Sequence, residues 1–222
     1  MNIPTDLLKK LQTPKKIVVT SHFNPDGDAI GSALAMYHYL RIKGHDVAVI
    51  VPNDFPEFLA WMAGAEDILI YEQAQFSCDD LLVNAELIFC LDYNAIHRTG
   101  KLQESLNAAK GVKILIDHHL EPETEYFDHL FSTVETSSTG ELVYNFIEAM
   151  SDTDLINKDI ATGIYVGIMT DTGSFSYSCN YAETYLIVAK LFRNGIDAAH
   201  IHRLVYDTFS ETRLRLLGYC LG

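Results

Sequence analysis

Short, nearly continuous apolar runs alternate along this chain with longer stretches in which apolar residues recur every three or four positions. The runs "KIVVTS" (16–21), "DVAVIVP" (46–52), "DILIYE" (67–72), "LIFCLD" (87–92) and "VKILID" (112–117) have strand length and few polar residues. That is how strands buried on both faces of a parallel sheet read. Residues 29–43 place Ile30, Ala33, Leu34, Tyr37 and Leu40 on one helical face, and Gly44 follows where a left-handed cap is wanted. Helical patterns also cover 140–150, 158–170, 181–194 and about 198–220. Strand and helix alternate first, and helices dominate afterwards. This order predicts a doubly wound α/β domain, a Rossmann-like parallel sheet of about five strands with helices on both faces. No internal repeat, low-complexity tract or linker-like segment marks a domain boundary.

Ligands of such sheets bind at the carboxyl ends of the strands, and the polar clusters collect there. "SHFNPDGDAIGS" (21–32) presents His22, Asp26 and Asp28 after the first strand. Asp92 ends the fourth strand, and Asp117, His118 and His119 end the fifth. In "ATGIYVGIMTDTGSFSY" a helix runs into Asp171, where a carboxylate adds to the negative end of the macrodipole and a cation would offset the repulsion. Taken singly, each cluster also reads as a turn, a cap, a loop hydrogen bond or a solvated acid. Their joint placement on one sheet edge is what separate accidents do not explain.

Four carboxylates (Asp26, Asp28, Asp92, Asp171) and two imidazoles (His22, His118) suffice for two divalent ions if one or two carboxylates bridge. Without metal the same acids would repel one another and take up protons. An oxygen-rich donor set lacking thiolate favours Mn²⁺, Mg²⁺ or Co²⁺ over structural zinc. Two such ions ~3.5 to 4 Å apart acidify a shared water and stabilise both oxygens of an in-line displacement at phosphorus. Phosphoester hydrolysis is the chemistry this set suits.

Composition narrows the partners. Sixteen basic against thirty acidic residues give a formal charge of −14, which argues against gripping long nucleic acid through a broad basic face. The same balance fits acids that hold cations, although many proteins are simply acidic. The four cysteines are scattered without C-x-x-C spacing, so neither a zinc site nor a disulfide framework is indicated. The first residues lack a signal-peptide core, and no run approaches the ~18 apolar residues of a membrane span. A cytoplasmic protein without membrane contact is the expectation.

The motifs "HFNPDGDAIGS", "LDYNAIHRTG", "IDHH" and "GIMTDTGSF" resemble, in that order, the four motifs of the DHH phosphoesterase superfamily, over residues from about 15 to 180. With "SSTGELVY" (137–144) they are most similar to the DHH/DHHA1 branch that degrades very short oligoribonucleotides and removes the 3′-phosphate of adenosine 3′,5′-bisphosphate. The resemblance implies that His22, Asp26, Asp28, Asp92, His118 and Asp171 ligate two divalent cations, most often Mn²⁺, with Asp92 the candidate bridge. Catalytic roles fall to Asp28, Asp117 and His119, with His119 as phosphate contact or proton donor and Asp117 orienting an imidazole. Substrate contacts fall to His119, Arg98, Ser138 and Thr139. Ser138 and Glu141 also have capping-box spacing. His38, His45, His97, His129, His200 and His202 receive no catalytic part, and Phe175 is expected in the core.

The resemblance further implies a catalytic domain over residues 1–195 and a helical connector over 196–222, leading toward a C-terminal DHHA1 substrate-binding domain whose glycine-rich motif does not occur here. Expected substrates are short single-stranded RNA or a nucleoside bisphosphate rather than long duplexes, and family members often form homodimers. Alternatives are a manganese-dependent inorganic pyrophosphatase, a cyclic or linear dinucleotide phosphodiesterase, and a non-catalytic nucleotide-binding regulatory domain.

Overall fold

A computed structural model describes residues 1–208 and 211–221. In chain order the elements are α1 (Thr5–Lys10), β1 (Lys16–Thr20), α2 (Gly27–Ile42), β2 (Asp46–Val51), β3 (Leu69–Ile70), α3 (Tyr71–Asn84), β4 (Leu87–Leu91), α4 (Leu102–Ala108), β5 (Val112–Asp117), β6 (His129–Ser132), α5 (Thr139–Ala149), α6 (Lys158–Asp171), α7 (Ala182–Arg193), α8 (Ala198–Tyr206) and α9 (Glu211–Leu221). Short 3₁₀ turns at Glu57–Leu59, Ala65–Asp67, Ile96–Thr99 and Thr153–Leu155 join them.

The strands form one sheet in the order β3-β2-β1-β4-β5-β6, every pair parallel. The alternation within each strand sorts side chains into two layers. Ile17, Val19, Leu87, Phe89 and Leu91 enter the core beneath α2, α5 and α6, while Val18, Ile88 and Cys90 enter the core beneath α3 and α4. Helices therefore cover both faces, as the apolar runs predict. The strand order reverses between β1 and β4, so a crevice opens there at the carboxyl end of the sheet.

Six strands replace the five expected. The sixth, "HLFS", is too short and too polar at its ends to stand out as an apolar run, and it forms because Ile114 to Asp117 offer it a parallel partner edge. The run "DILIYE" contributes only Leu69 and Ile70, because α3 begins at Tyr71. The pattern over 198–220 resolves into α8 and α9, α8 being followed by Asp207 at φ −102°, ψ 4°. All four cysteines are free, and no helix among the described residues is long and apolar enough to cross a membrane.

Helix α2 is buried on nearly every side, because α6 and α5 pack on it where the sheet does not. Glycine makes this approach possible: a Cβ on Gly31 would lie 2.5 Å from the Gly163 carbonyl oxygen. The close crossing brings the start of α2 beside the end of α6, which is where the polar clusters converge.

Candidate active site

The loop after β1 is pinned before it reaches α2. Asn24, at φ +56°, takes part in a reciprocal pair with Asn53: its N–H donates to Asn53 Oδ1 at 2.6 Å, and Asn53 Nδ2 donates to Asn24 Oδ1 at 2.9 Å. Asp26 caps α2 by accepting from the N–H groups of Asp28 and Ala29 at 3.0 and 3.1 Å. Its side chain still has 60% exposure on the site side. Asp92 sits at the switch point with φ +65°, a left-handed conformation costing about 1 to 3 kcal/mol outside glycine. That turn folds the carboxylate back over the sheet end, where it is only 2% exposed.

Two trios result. His22, Asp26 and Asp92 offer ligand atoms within 4.8 Å of one another, as do Asp28, His118 and Asp171. Asp92 joins them, with Oδ2 lying 3.4 Å from His22 Nε2 and Oδ1 lying 3.6 Å from His118 Nε2. His118 Nε2 is also 3.1 Å from Asp171 Oδ2 and 3.9 Å from Asp28 Oδ2. The structure thus brings together all six residues expected to be ligands.

The imidazoles are oriented from behind. His22 Nδ1 faces the Phe23 carbonyl oxygen at 2.9 Å, so a proton there leaves the Nε2 lone pair toward Asp26 and Asp92. His119 Nδ1 donates to Asp117 Oδ1 at 2.7 Å, and the His119 N–H donates to Asp117 Oδ2 at 3.1 Å. The imidazole that Asp117 orients is therefore His119, and fully buried Asp117 holds its own position at the end of β5.

The electrostatics describe a well short of positive charge. Burial, followed by the charges of Asp92 and Asp171, pushes the Asp28 carboxyl well above the usual carboxylate range. Burial and Asp26 do the same to Asp92, and raise Asp171 to about 6. Burial and neighbouring His119 lower His118 to about 4, which leaves a neutral imidazole at pH 7. The hydrogen bond that His119 donates to Asp117 raises His119 and favours its protonated form. Carboxylates held this close, with a neutral imidazole among them, fit divalent cations in both donor type and charge.

The expected substrate contacts divide. Arg98 lies near enough for its charge to lower both His118 and His119, and among the described residues its side chain has no ion pair. Ser138 and Thr139 are fully buried and already engaged. Ser138 Oγ caps α5 by accepting from the Glu141 N–H at 3.1 Å. Thr139 Oγ1 donates to Asp92 Oδ1 at 2.9 Å. The start of α5 receives a protein carboxylate where a phosphate was conceivable: the N–H groups of Thr139 and Gly140 donate to Asp28 at 2.7 and 2.8 Å. Glu141 does not close a capping box with Ser138; it accepts from the N–H and Oγ of Ser137 and from Thr184 Oγ1. Phe175 packs on the core beside Tyr165 and Tyr185, as expected.

Sequence reading missed the glycines around Asp28. A Cβ on Gly167 would collide with Asp28 Oδ1, and one on Gly140 would stand 3.2 Å from it. The signal was present in "GIYVG", two glycines four apart on one helix face, which mark a close approach.

The parallel α/β sheet thus carries an acidic, histidine-lined well at its switch point, with groups of the kind that could hold metal ions. The profile of the DHH family's N-terminal domain matches residues 16–168, and the chain belongs to that family. It is 31% identical over 90% of its length to an uncharacterized protein of Mycoplasma pneumoniae, covering 58% of that protein. It is 29% identical over its whole length to the bifunctional oligoribonuclease and PAP phosphatase NrnA of Thermus thermophilus, covering 62% of it. A crystal structure of an exopolyphosphatase-related protein from Bacteroides fragilis superposes with a TM-score of 0.94 at 47% identity, over 97% of this chain and 63% of that one. The chain thus spans about three fifths of the length of these relatives.

Proposed function

We propose that this chain is a divalent-metal-dependent phosphoesterase that hydrolyses short oligoribonucleotides to mononucleotides, removes the 3′-phosphate of adenosine 3′,5′-bisphosphate, or does both. The observation that carries the reading is Asp92, whose two oxygens face two different imidazoles and so link two complete trios. His22, Asp26 and Asp92 would hold one cation, and Asp28, His118 and Asp171 a second, with Asp92 shared. Mn²⁺ suits this donor set best, with Mg²⁺ or Co²⁺ as substitutes. Two such cations supply Lewis-acid stabilisation of a phosphoryl group and an acidified water.

The remaining work belongs to the chain's own residues. His119, oriented by its Nδ1 hydrogen bond to Asp117, which favours the protonated ring, would give its Nε2 proton to a leaving alkoxide oxygen. Arg98, which has no ion pair among the described residues, would offer its guanidinium to a substrate phosphate. Residues 1–195 form the catalytic unit in this reading, and 196–222 a connector toward a substrate-binding domain. The exposed Leu214, Leu217 and Leu221 of α9 support that assignment. The name of the Thermus relative supports the choice of substrates, and the formal charge of −14 supports short strands over long duplexes.

The test is product analysis with Mn²⁺ on a short oligoribonucleotide, adenosine 3′,5′-bisphosphate, a cyclic dinucleotide and inorganic pyrophosphate in parallel. Mononucleotides from the first, or adenosine monophosphate from the second, are expected. Turnover of pyrophosphate alone would move the protein to another reaction on the same scaffold, and binding of nucleotide with no turnover would make it a regulatory domain.

A further inference from the structure

Beside the well stands an exposed aromatic ring that the fold holds still. Phe23 is 42% exposed, directly after His22 on the loop that leads to Asp26 and Asp28. Its carbonyl oxygen faces His22 Nδ1, and its N–H donates to the Arg98 carbonyl oxygen at 2.7 Å. Asn24 locks the next position through Asn53. The ring rests on Gly100, whose φ of +58° and ψ of −131° only glycine adopts readily. A Cβ at Gly100 would stand 3.0 Å from the Phe23 ring. Glycine at this position therefore provides the seat as well as the turn.

A single exposed apolar side chain is ordinary on a protein surface, but this one combines three features. Its backbone is fixed on both sides, it follows His22 directly in the chain, and the segment its ring rests on carries Arg98, the guanidinium whose charge reaches His118 and His119. A phosphate drawn to Arg98 and the cations brings the rest of its nucleotide against this rim. In a chain of formal charge −14, binding energy for a nucleic-acid fragment has few cations to come from, and base stacking on an aromatic face supplies it without regard to charge or sequence.

We propose that Phe23 is the nucleobase seat of this site, a specificity-determining residue that stacks on the base of the nucleotide being processed and selects nucleotides over phosphoesters without a base. The inference rests on the phosphoesterase reading above and names its substrate class more closely: a nucleotide with an unpaired base. Phe23 takes no part in bond breaking.

The experiment compares an adenylyl dinucleotide with the same dinucleotide lacking its bases, using the full chain with Mn²⁺, and reads the ratio of the two kcat/KM values. In Phe23→Ala that preference for the base should fall about tenfold, mainly through KM. Phe23→Leu, which keeps apolar bulk without a π-face, should lose most of it, and Phe23→Tyr should restore it. An equal loss on both substrates, leaving the ratio unchanged, would make Phe23 only a prop for the metal loop and overturn the proposal. If the wild-type chain hydrolyses neither dinucleotide nor adenosine 3′,5′-bisphosphate, the phosphoesterase reading fails by itself. Quenching of a 2-aminopurine dinucleotide on binding then decides the seat: quenching that needs Phe23 or Tyr at this position upholds it, and quenching equal in Phe23→Ala and wild type removes it.

Discussion

The outer trio of His22, Asp26 and Asp92 and the inner trio of Asp28, His118 and Asp171, which meet where Asp92 Oδ1 lies 3.6 Å from His118 Nε2, stand in different surroundings. The outer one reaches water: the Asp26 side chain is 60% exposed, and its carboxylate also caps α2. The inner one centres on enclosed Asp28, while its His118 and Asp171 side chains stay 20% and 28% exposed. Asp28 is fully buried between the start of α5, which donates two N–H groups to it, and the glycine-lined face of α6. Asp171, in the same trio, occupies the opposite kind of helix end, the last residue of α6, where the macrodipole opposes its charge. One helix terminus thus supports a buried anion while another leaves an anion wanting a partner. The difference teaches that the inner trio sets a helix start and a helix end against its two carboxylates, while burial raises Asp92 of the outer trio just as it raises Asp28 and Asp171.

The strongest way to break the comparison is to remove the shared group. Asp92→Asn should abolish hydrolysis and reduce bound Mn²⁺ in both trios, measured by metal analysis of the purified protein beside turnover. Full activity with two ions retained would disprove the sharing. Next in size, Gly167→Ala forces a methyl against Asp28 Oδ1. Overpacking of this kind costs about 1 to 3 kcal/mol, and we expect a lower Tm together with selective loss of the inner ion. A change in Tm alone, with both ions bound as before, would show that Asp28 tolerates displacement.

Thr139→Val removes the hydroxyl that bonds Asp92 while leaving the Thr139 N–H to Asp28. Loss of a hydrogen bond behind a ligand weakens metal affinity by about 10- to 100-fold, to be read by titration with Mn²⁺. Unaltered affinity would reduce Thr139 to a helix-start residue.

Acidity sharpens the contrast more gently. Folded, metal-free Asp171 keeps its proton to about 6, above its ordinary value of 3.8. Between those values the folded state binds more protons than the unfolded chain, so this group's contribution to metal-free stability is present at low pH and is lost as pH rises through about 6. A cation replaces that proton. The rise in Tm on adding Mn²⁺ should therefore be small near pH 5 and larger above about pH 7; a pH-independent rise would count against the inner trio as an ion site. The smallest effect belongs to Ser138→Ala, which removes the α5 cap at a cost of about 1 kcal/mol. It should lower Tm slightly without changing ion stoichiometry.

Much of this was legible beforehand, for identifiable reasons. Strands β1, β4 and β5 announce themselves because burial on both faces demands continuous apolar runs. The polar residues at their ends stand out against that background. Strand β6 was silent because a four-residue edge strand takes its existence from β5 rather than from its own pattern. The role of Ser138 was ambiguous because a cap and a phosphate contact call for the same hydroxyl.

By itself the sequence determined the class of fold, the edge of the sheet at which chemistry collects, and the residue types gathered there, since periodicity and strand-end position are local properties of the chain. Tertiary structure alone decided how those residues divide into two trios, that Asp117 serves His119, and that the start of α5 receives Asp28 instead of a ligand. These are contacts between segments as much as 112 residues apart. Only the close crossing of glycine-bearing helices, which no single segment encodes, places them within hydrogen-bond reach.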